Sequence, residues 1–204
     1  MFRQGWRDVS RFLRHWSAKL RARLAPETQQ SAEVEASLVK SLYASPASLM
    51  IGAVAGGALS MVVAYHAARP PITTIAILIC IVAVSRSISA VYFQRQYAHQ
   101  EGGIKQFWGL AYELGAWGYA ALLGLLAFAT LFLTHDASLH ILSVCLVAAY
   151  SGGISGRNAG RVQVAIGQTC FALLPTVLGL AVAGGLGYRV LAAMLFLMVF
   201  AMAE

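Results

Sequence analysis

Two ionisable residues stand inside long apolar stretches, Arg86 in VAVSRSISAVY and Glu113 in GLAYELGAW. A charge in hydrocarbon is costly, and it is retained where it pairs with an opposite charge or serves a function. A guanidinium and a carboxylate can form a structural ion pair, a proton or solute site, or a contact that forms and breaks with a stimulus. At 1.5 Å per residue both sit about 10 Å inside their apolar stretches, measured from the same side. Equal depth on neighbouring antiparallel helices predicts that Arg86 and Glu113 pair.

A second group lies at the opposite ends of the apolar stretches. His66 closes the first, and His135, Asp136 and His140 bracket the short break between the third and fourth. Imidazole and carboxylate are zinc or copper ligands, and histidine titrates near neutral pH, so these four on one rim are what an extracytoplasmic metal or pH site needs. The favoured reading is interfacial polar groups that satisfy helix ends, and no metal is assigned to them. His15 and His99 fall on the other side. The third group is the glycine-rich run Ser151 to Arg161, whose charges are Arg157 and Arg161. It lacks the terminal GK[ST] and the preceding strand of a phosphate loop. Its glycines predict a tight turn, with Arg157, Asn158 and Arg161 forming a docking surface for a cytoplasmic domain or for lipid headgroups. No apolar stretch holds a lysine, and no triad, haem motif or acidic pair is present, so these residues assign no catalytic group and no cofactor.

The elements that must position these groups follow from composition. Of 204 residues, 59% are hydrophobic and 11% are charged, against about 25% charged in soluble domains. Six apolar segments occupy residues 47–66, 72–93, 107–133, 137–154, 162–183 and 188–204. Their connections are short, so neighbours run antiparallel. The fold class predicted is all-α: a polytopic membrane bundle of six transmembrane helices preceded by a basic amphipathic interfacial helix. In the first span Gly52 and Gly56 make a GxxxG that permits close helix approach, within the chain or between copies. Pro175 is expected to kink the fifth span. Cys80, Cys145 and Cys170 form no CxxC and read as small core residues.

Residues 1–46 form a cytoplasmic N-terminal region. Within helix 2–24, Phe2, Trp6, Val9, Leu13, Trp16, Leu20 and Leu24 share one stripe, and Arg3, Arg7, Arg11, Arg14 and Arg21 lie opposite. Aromatic residues on one face and arginines on the other suit a helix lying in the interface, with Trp6, Arg7, Arg11, Arg14, Trp16 and Arg21 on the lipid. The same pattern fits a helix packed on a cytosolic domain. A short pre-membrane helix over 31–44 follows.

Basic residues set the orientation. Eight of the 15 Lys and Arg precede residue 41; with Arg95, Lys105, Arg157 and Arg161 the predicted inner side holds twelve, and the outer side only Arg69 and Arg189. That bias places both termini in the cytoplasm. The net charge of +7 then points to anionic inner-leaflet lipid rather than nucleic acid. From Val190 to Ala203 the last segment spans only about 21 Å, short of the roughly 30 Å hydrocarbon core. The expectation is a helix that continues into a longer polypeptide.

The stretch Val39-Lys40-Ser41-Leu42-Tyr43-Ala44-Ser45-Pro46, the arginine in the inner half of the second span, and the run Ala149-Tyr150-Ser151-Gly152-Gly153-Ile154-Ser155-Gly156-Arg157-Asn158-Ala159-Gly160-Arg161 before a proline-containing span resemble the N-terminal membrane region of bacterial diguanylate cyclases. In that family a six-helix, MASE-like sensor region feeds a cytoplasmic GGDEF domain that condenses two GTP into cyclic di-GMP. The resemblance implies a sensory and anchoring module in a bacterial inner membrane, with GTP and Mg bound by the output domain. It implies no catalytic residue here, because no GGDEF pentapeptide occurs in the chain. Dimerisation would bring two output active sites face to face. Two other classes fit the residues: a small transporter or channel working through Arg86 and Glu113, and an accessory subunit of a larger membrane complex.

Overall fold

The computed structural model describes residues 38–43, 46–97, 106–157 and 161–203. Among them every regular element is helical. After a helical turn at 38–42 come α1 (Pro46–Ala67), α2 (Pro70–Tyr97), α3 (Gln106–Leu133), α4 (Ala137–Arg157), α5 (Val162–Ala183) and α6 (Leu186–Ala203). The first five are long and apolar enough to cross a membrane, and α6 is a shorter apolar helix over Leu186–Met202. The helix expected at 2–24, with its lipid-facing residues Trp6, Arg7, Arg11, Arg14, Trp16 and Arg21, lies outside the described residues.

Local chemistry explains the boundaries. Pro46 opens α1, and Pro70 with Pro71 opens α2. Proline is tolerated in the first turn, where its missing N–H has no intrahelical partner to lose. Asp136 caps α4, its Oδ1 accepting from Ser138 N at 2.8 Å. Gly184 and Gly185, at φ 80° and 84°, turn the chain from α5 into α6 in a region that side chains with a Cβ avoid.

The helices are apolar on both faces. Ile72, Ala76, Ile79, Ala83, Ala90 and Phe93 of α2 are buried, while Ile77, Ile81, Val84 and Ile88 on its other face are exposed. A helix with two apolar faces suits a bundle surrounded by lipid rather than water. Most buried hydroxyls are satisfied within their own helices: Ser60 donates to Gly56 O at 2.6 Å, Thr130 to Leu126 O at 2.7 Å and Thr176 to Ala172 O at 2.9 Å; Ser151 Oγ is the exception among the described residues.

At the centre α3 packs most extensively on α5, with α2 and α4 beside it, while α6 rests chiefly on α5. The α3–α5 crossing is close because Gly124 has no side chain. A Cβ there would lie 2.6 Å from Ala172 O and 2.7 Å from Phe171 O. Pro175 cannot donate to Phe171 O, so the proline frees a carbonyl where α3 supplies a glycine backbone against it. Helix α5 runs unbroken through Pro175.

One expectation fails here. The tight turn predicted from Ser151 onward is helix as far as Arg157. Ser151 and Ile154 are buried in the bundle, and this packing outweighs the roughly 1 kcal/mol that each helical glycine costs.

Candidate functional site

Arg86 emerges from α2 against a notch in α3. A Cβ on Gly115 would lie 3.3 Å from its Cγ and 3.5 Å from its Cδ. The guanidinium carbon is 5.7 Å from the ring centroid of Tyr112 and 5.4 Å from that of Tyr119. Steps of three and four put residues 112, 115 and 119 on one face of α3, so glycine receives the stem and a ring flanks it on each side. Each cation–π contact is worth about 0.5–2 kcal/mol. Together they hold the charge without neutralising it.

Other helices complete the surroundings. The Tyr150 hydroxyl of α4 lies within hydrogen-bonding reach of Arg86 and accepts from Gln168 Nε2 of α5 at 2.8 Å. Tyr119 lays its hydroxyl over Gly56 of α1 and donates to Gly52 O at 3.4 Å. The GxxxG of α1 thus serves a contact within the chain. These groups surround a cavity of about 210 Å³, whose polar side includes Arg86, Ser87, Tyr112, Tyr119, Tyr150 and Gln168. Ser48, Leu49, Gly52 and Ala53 of α1 also line it.

Glu113 is not the partner of Arg86. Its Oε1 accepts from Arg161 Nη1 at 2.6 Å, both side chains being mostly buried. Depth along the helix axis matched the expected pair, but direction around the axis did not. Glu113 follows Tyr112 by one residue, a rotation of about 100°, which carries it off the face that meets Arg86. Arg161, expected to present its charge for docking, instead lies along Gly109, where a Cβ would be 3.3 Å from Nη1. Of the rest of that group, Asn158 and the side chain of Arg157 lie outside the described residues.

The same glycine carries Val39 of the 38–42 turn, with Cγ2 3.5 Å from that Cβ position. Next to it Tyr43 stacks on Phe93 at 4.2 Å, meets Tyr112 edge-on at 5.3 Å, and donates its hydroxyl to Trp108 O at 3.1 Å. Burial, reinforced by the neighbouring Tyr112 and opposed by Arg86, pushes the Tyr43 phenol up to about 12. Tyr112 therefore touches Arg86 on one side and the pre-membrane segment on the other.

At the opposite rim the four expected residues do different things. His66 is exposed with its ring edge-on to Tyr65, His135 is exposed, and Asp136 caps α4. His140 is buried, with Nδ1 2.8 Å from the Tyr188 hydroxyl and Nε2 3.1 Å from Thr134 O. The carbonyl can only accept, so in the neutral ring Nε2 carries the proton and Nδ1 accepts from Tyr188. No group of three or more His, Cys, Asp or Glu placed to hold a metal occurs among the described residues.

Tyr112, Tyr119, Tyr150 and Gln168 carried no flag in the sequence beyond being polar groups in apolar spans. The spacing Tyr112-x-x-Gly115-x-x-x-Tyr119 was the available signal, because it cuts a gap between two rings on one helix face. No family model matches this chain, and no curated protein and no solved structure matches it either.

Proposed function

We propose that this chain is a membrane-embedded sensory and anchoring module that regulates a cytoplasmic output domain, the sequence resemblance favouring a GGDEF diguanylate cyclase. All six apolar helices would cross a bacterial inner membrane, with both termini in the cytoplasm and helix 2–24 on anionic lipid. One observation carries the reading: Tyr112 lines the arginine cavity and meets Tyr43 of the pre-membrane segment at 5.3 Å. A sensor needs a place where occupancy is registered and a contact through which it reaches the cytoplasmic side, and Tyr112 belongs to both. In two-state terms, an occupant that prefers one placement of Tyr112 shifts the population of pre-membrane arrangements by its differential affinity.

The test is made in the source cells with the full reading frame. Overproduction is expected to raise cyclic di-GMP, read by mass spectrometry, and Tyr112→Ala at equal protein abundance is expected to change that level. Cyclic di-GMP indifferent to both deletion and overproduction would overturn the cyclase output. Solute flux through proteoliposomes of the purified chain would favour a transporter instead.

A further inference from the structure

We propose that the cavity around Arg86 is a binding site for a small organic monocarboxylate with a compact apolar or aromatic body. The inference rests on the sensory reading, to which it adds the class of ligand. Arg86 is half-buried, and among the described residues no carboxylate lies within ion-pair distance of it, since Glu113 is engaged by Arg161. Its attractive contacts are two ring faces and a phenol, and all of these leave its positive charge uncompensated. A guanidinium presents paired N–H donors in a plane that matches a carboxylate's two oxygens, and the match is strongest away from bulk water. The cavity lining contains no Asp or Glu, so it carries no formal negative charge to repel an anion.

The rest of the lining sets the body of the ligand. Leu49, Ala53, Ala83, Ala149 and Ile154 give the lining an apolar part, suited to hydrocarbon and poorly suited to a second charge. A cavity of about 210 Å³ filled to the density of a protein interior holds a molecule of roughly ten non-hydrogen atoms. Benzoate has that size and charge. A dicarboxylate would place its second charge against the apolar lining, and a diacyl lipid would leave most of its chains outside the space. An inorganic anion would satisfy Arg86 while leaving the apolar lining unused.

The experiment uses the purified full chain in lipid nanodiscs, with benzoate as probe and thermal unfolding and intrinsic fluorescence as readouts. Benzoate is expected to raise the unfolding temperature saturably, while isosteric, neutral benzamide and equal concentrations of sodium phosphate do not. Arg86→Gln is expected to weaken benzoate by about tenfold or more. A second variant guards against misfolding: Gly52 lines the cavity, and a Cβ there would meet nothing within 4 Å, so Gly52→Leu fills the space with Arg86 intact. It should abolish the benzoate effect while preserving the helical circular dichroism. Equal responses to benzoate and benzamide, a response to phosphate as large as that to benzoate, or an undiminished response in both variants would overturn the proposal. Binding confirmed with no change in cyclic di-GMP would sink the cyclase output and leave the site standing. Binding absent while cyclic di-GMP still responds to Tyr112→Ala would do the reverse.

Discussion

Arg161, at the head of α5, reaches Glu113 of α3 at 2.6 Å, and its guanidinium lies along Gly109, which also carries Val39. One ion pair therefore clamps the most extensive helix interface of the bundle at the end where the pre-membrane segment docks. The pair is mostly buried, so removing one partner strands the other charge in a poorly solvated place.

The pairing is testable as a thermodynamic coupling. Glu113→Gln and Arg161→Gln, combined in a double-mutant cycle, should show an interaction of about 0.5–3 kcal/mol, read from unfolding in detergent. The Glu113→Gln and Arg86→Gln cycle should give a smaller value. A larger coupling to Arg86 would mean that the direction of Glu113 around α3 is wrong.

At the α3–α5 crossing, glycine is required by space. Gly124→Ala would push a methyl into two backbone carbonyl oxygens, which cannot move aside as a side-chain tip can. The expected loss is about 1–3 kcal/mol, the usual cost of overpacking. Gly118→Ala on the same helix meets nothing within 4 Å and should gain up to about 1 kcal/mol from helix propensity. Opposite signs for two identical substitutions six residues apart, measured by thermal melts, check the crossing.

Tyr43 gives a pH dependence whose sign is fixed by its environment. The folded chain holds the phenol neutral, raising it from 10.0 to about 12, so the unfolded chain ionises first. The stabilisation is fully present below pH 10 and is lost as pH rises from 10 to 12. Tyr43→Phe keeps the stacking on Phe93 but has no proton to lose. It should start less stable, by about 1 kcal/mol for the bond to Trp108 O, and then lose less stability across that window. Parallel curves for the two proteins would contradict the burial of this hydroxyl.

The ends of the helices were legible only in part: α2 and α4 run on to Tyr97 and Arg157, past the expected 93 and 154. Pro46, the Pro70-Pro71 pair and the Gly184-Gly185 pair each act through local backbone geometry, and α5 begins and ends where the apolar pattern does. The partner of Glu113 was not legible. Hydropathy gives depth along a helix, whereas partner choice depends on rotation about it, and two apolar faces leave that rotation unmarked. The cavity was hidden for a related reason. Its walls come from five helices, and only the closeness permitted at Gly56 and Gly115 brings Tyr119 and Arg86 together. The glycines at 152 and 153 misled in the other direction, because packing overrode a weak local preference.

The bond between His140 and Tyr188 ties the first turn of α6 to α4. That helix is the shortest of the six apolar ones and rests chiefly on α5, so one polar link to α4 is a sizeable share of what fixes its first turn. Tyr188→Phe removes the 2.8 Å contact with Nδ1 and should cost about 1 kcal/mol. His140→Ala should cost more, because it also takes the donor from Thr134 O and leaves a hole behind. In both variants, hydrogen exchange should rise first in α6 and the turn before it, with α3 protected as before. Zinc added to the wild-type protein should leave the unfolding temperature unchanged, because both nitrogens of His140 are engaged and Asp136 is committed to its cap. A zinc-dependent rise, or exchange that spreads equally through all helices, would show that this rim is organised around something other than the tyrosine bond.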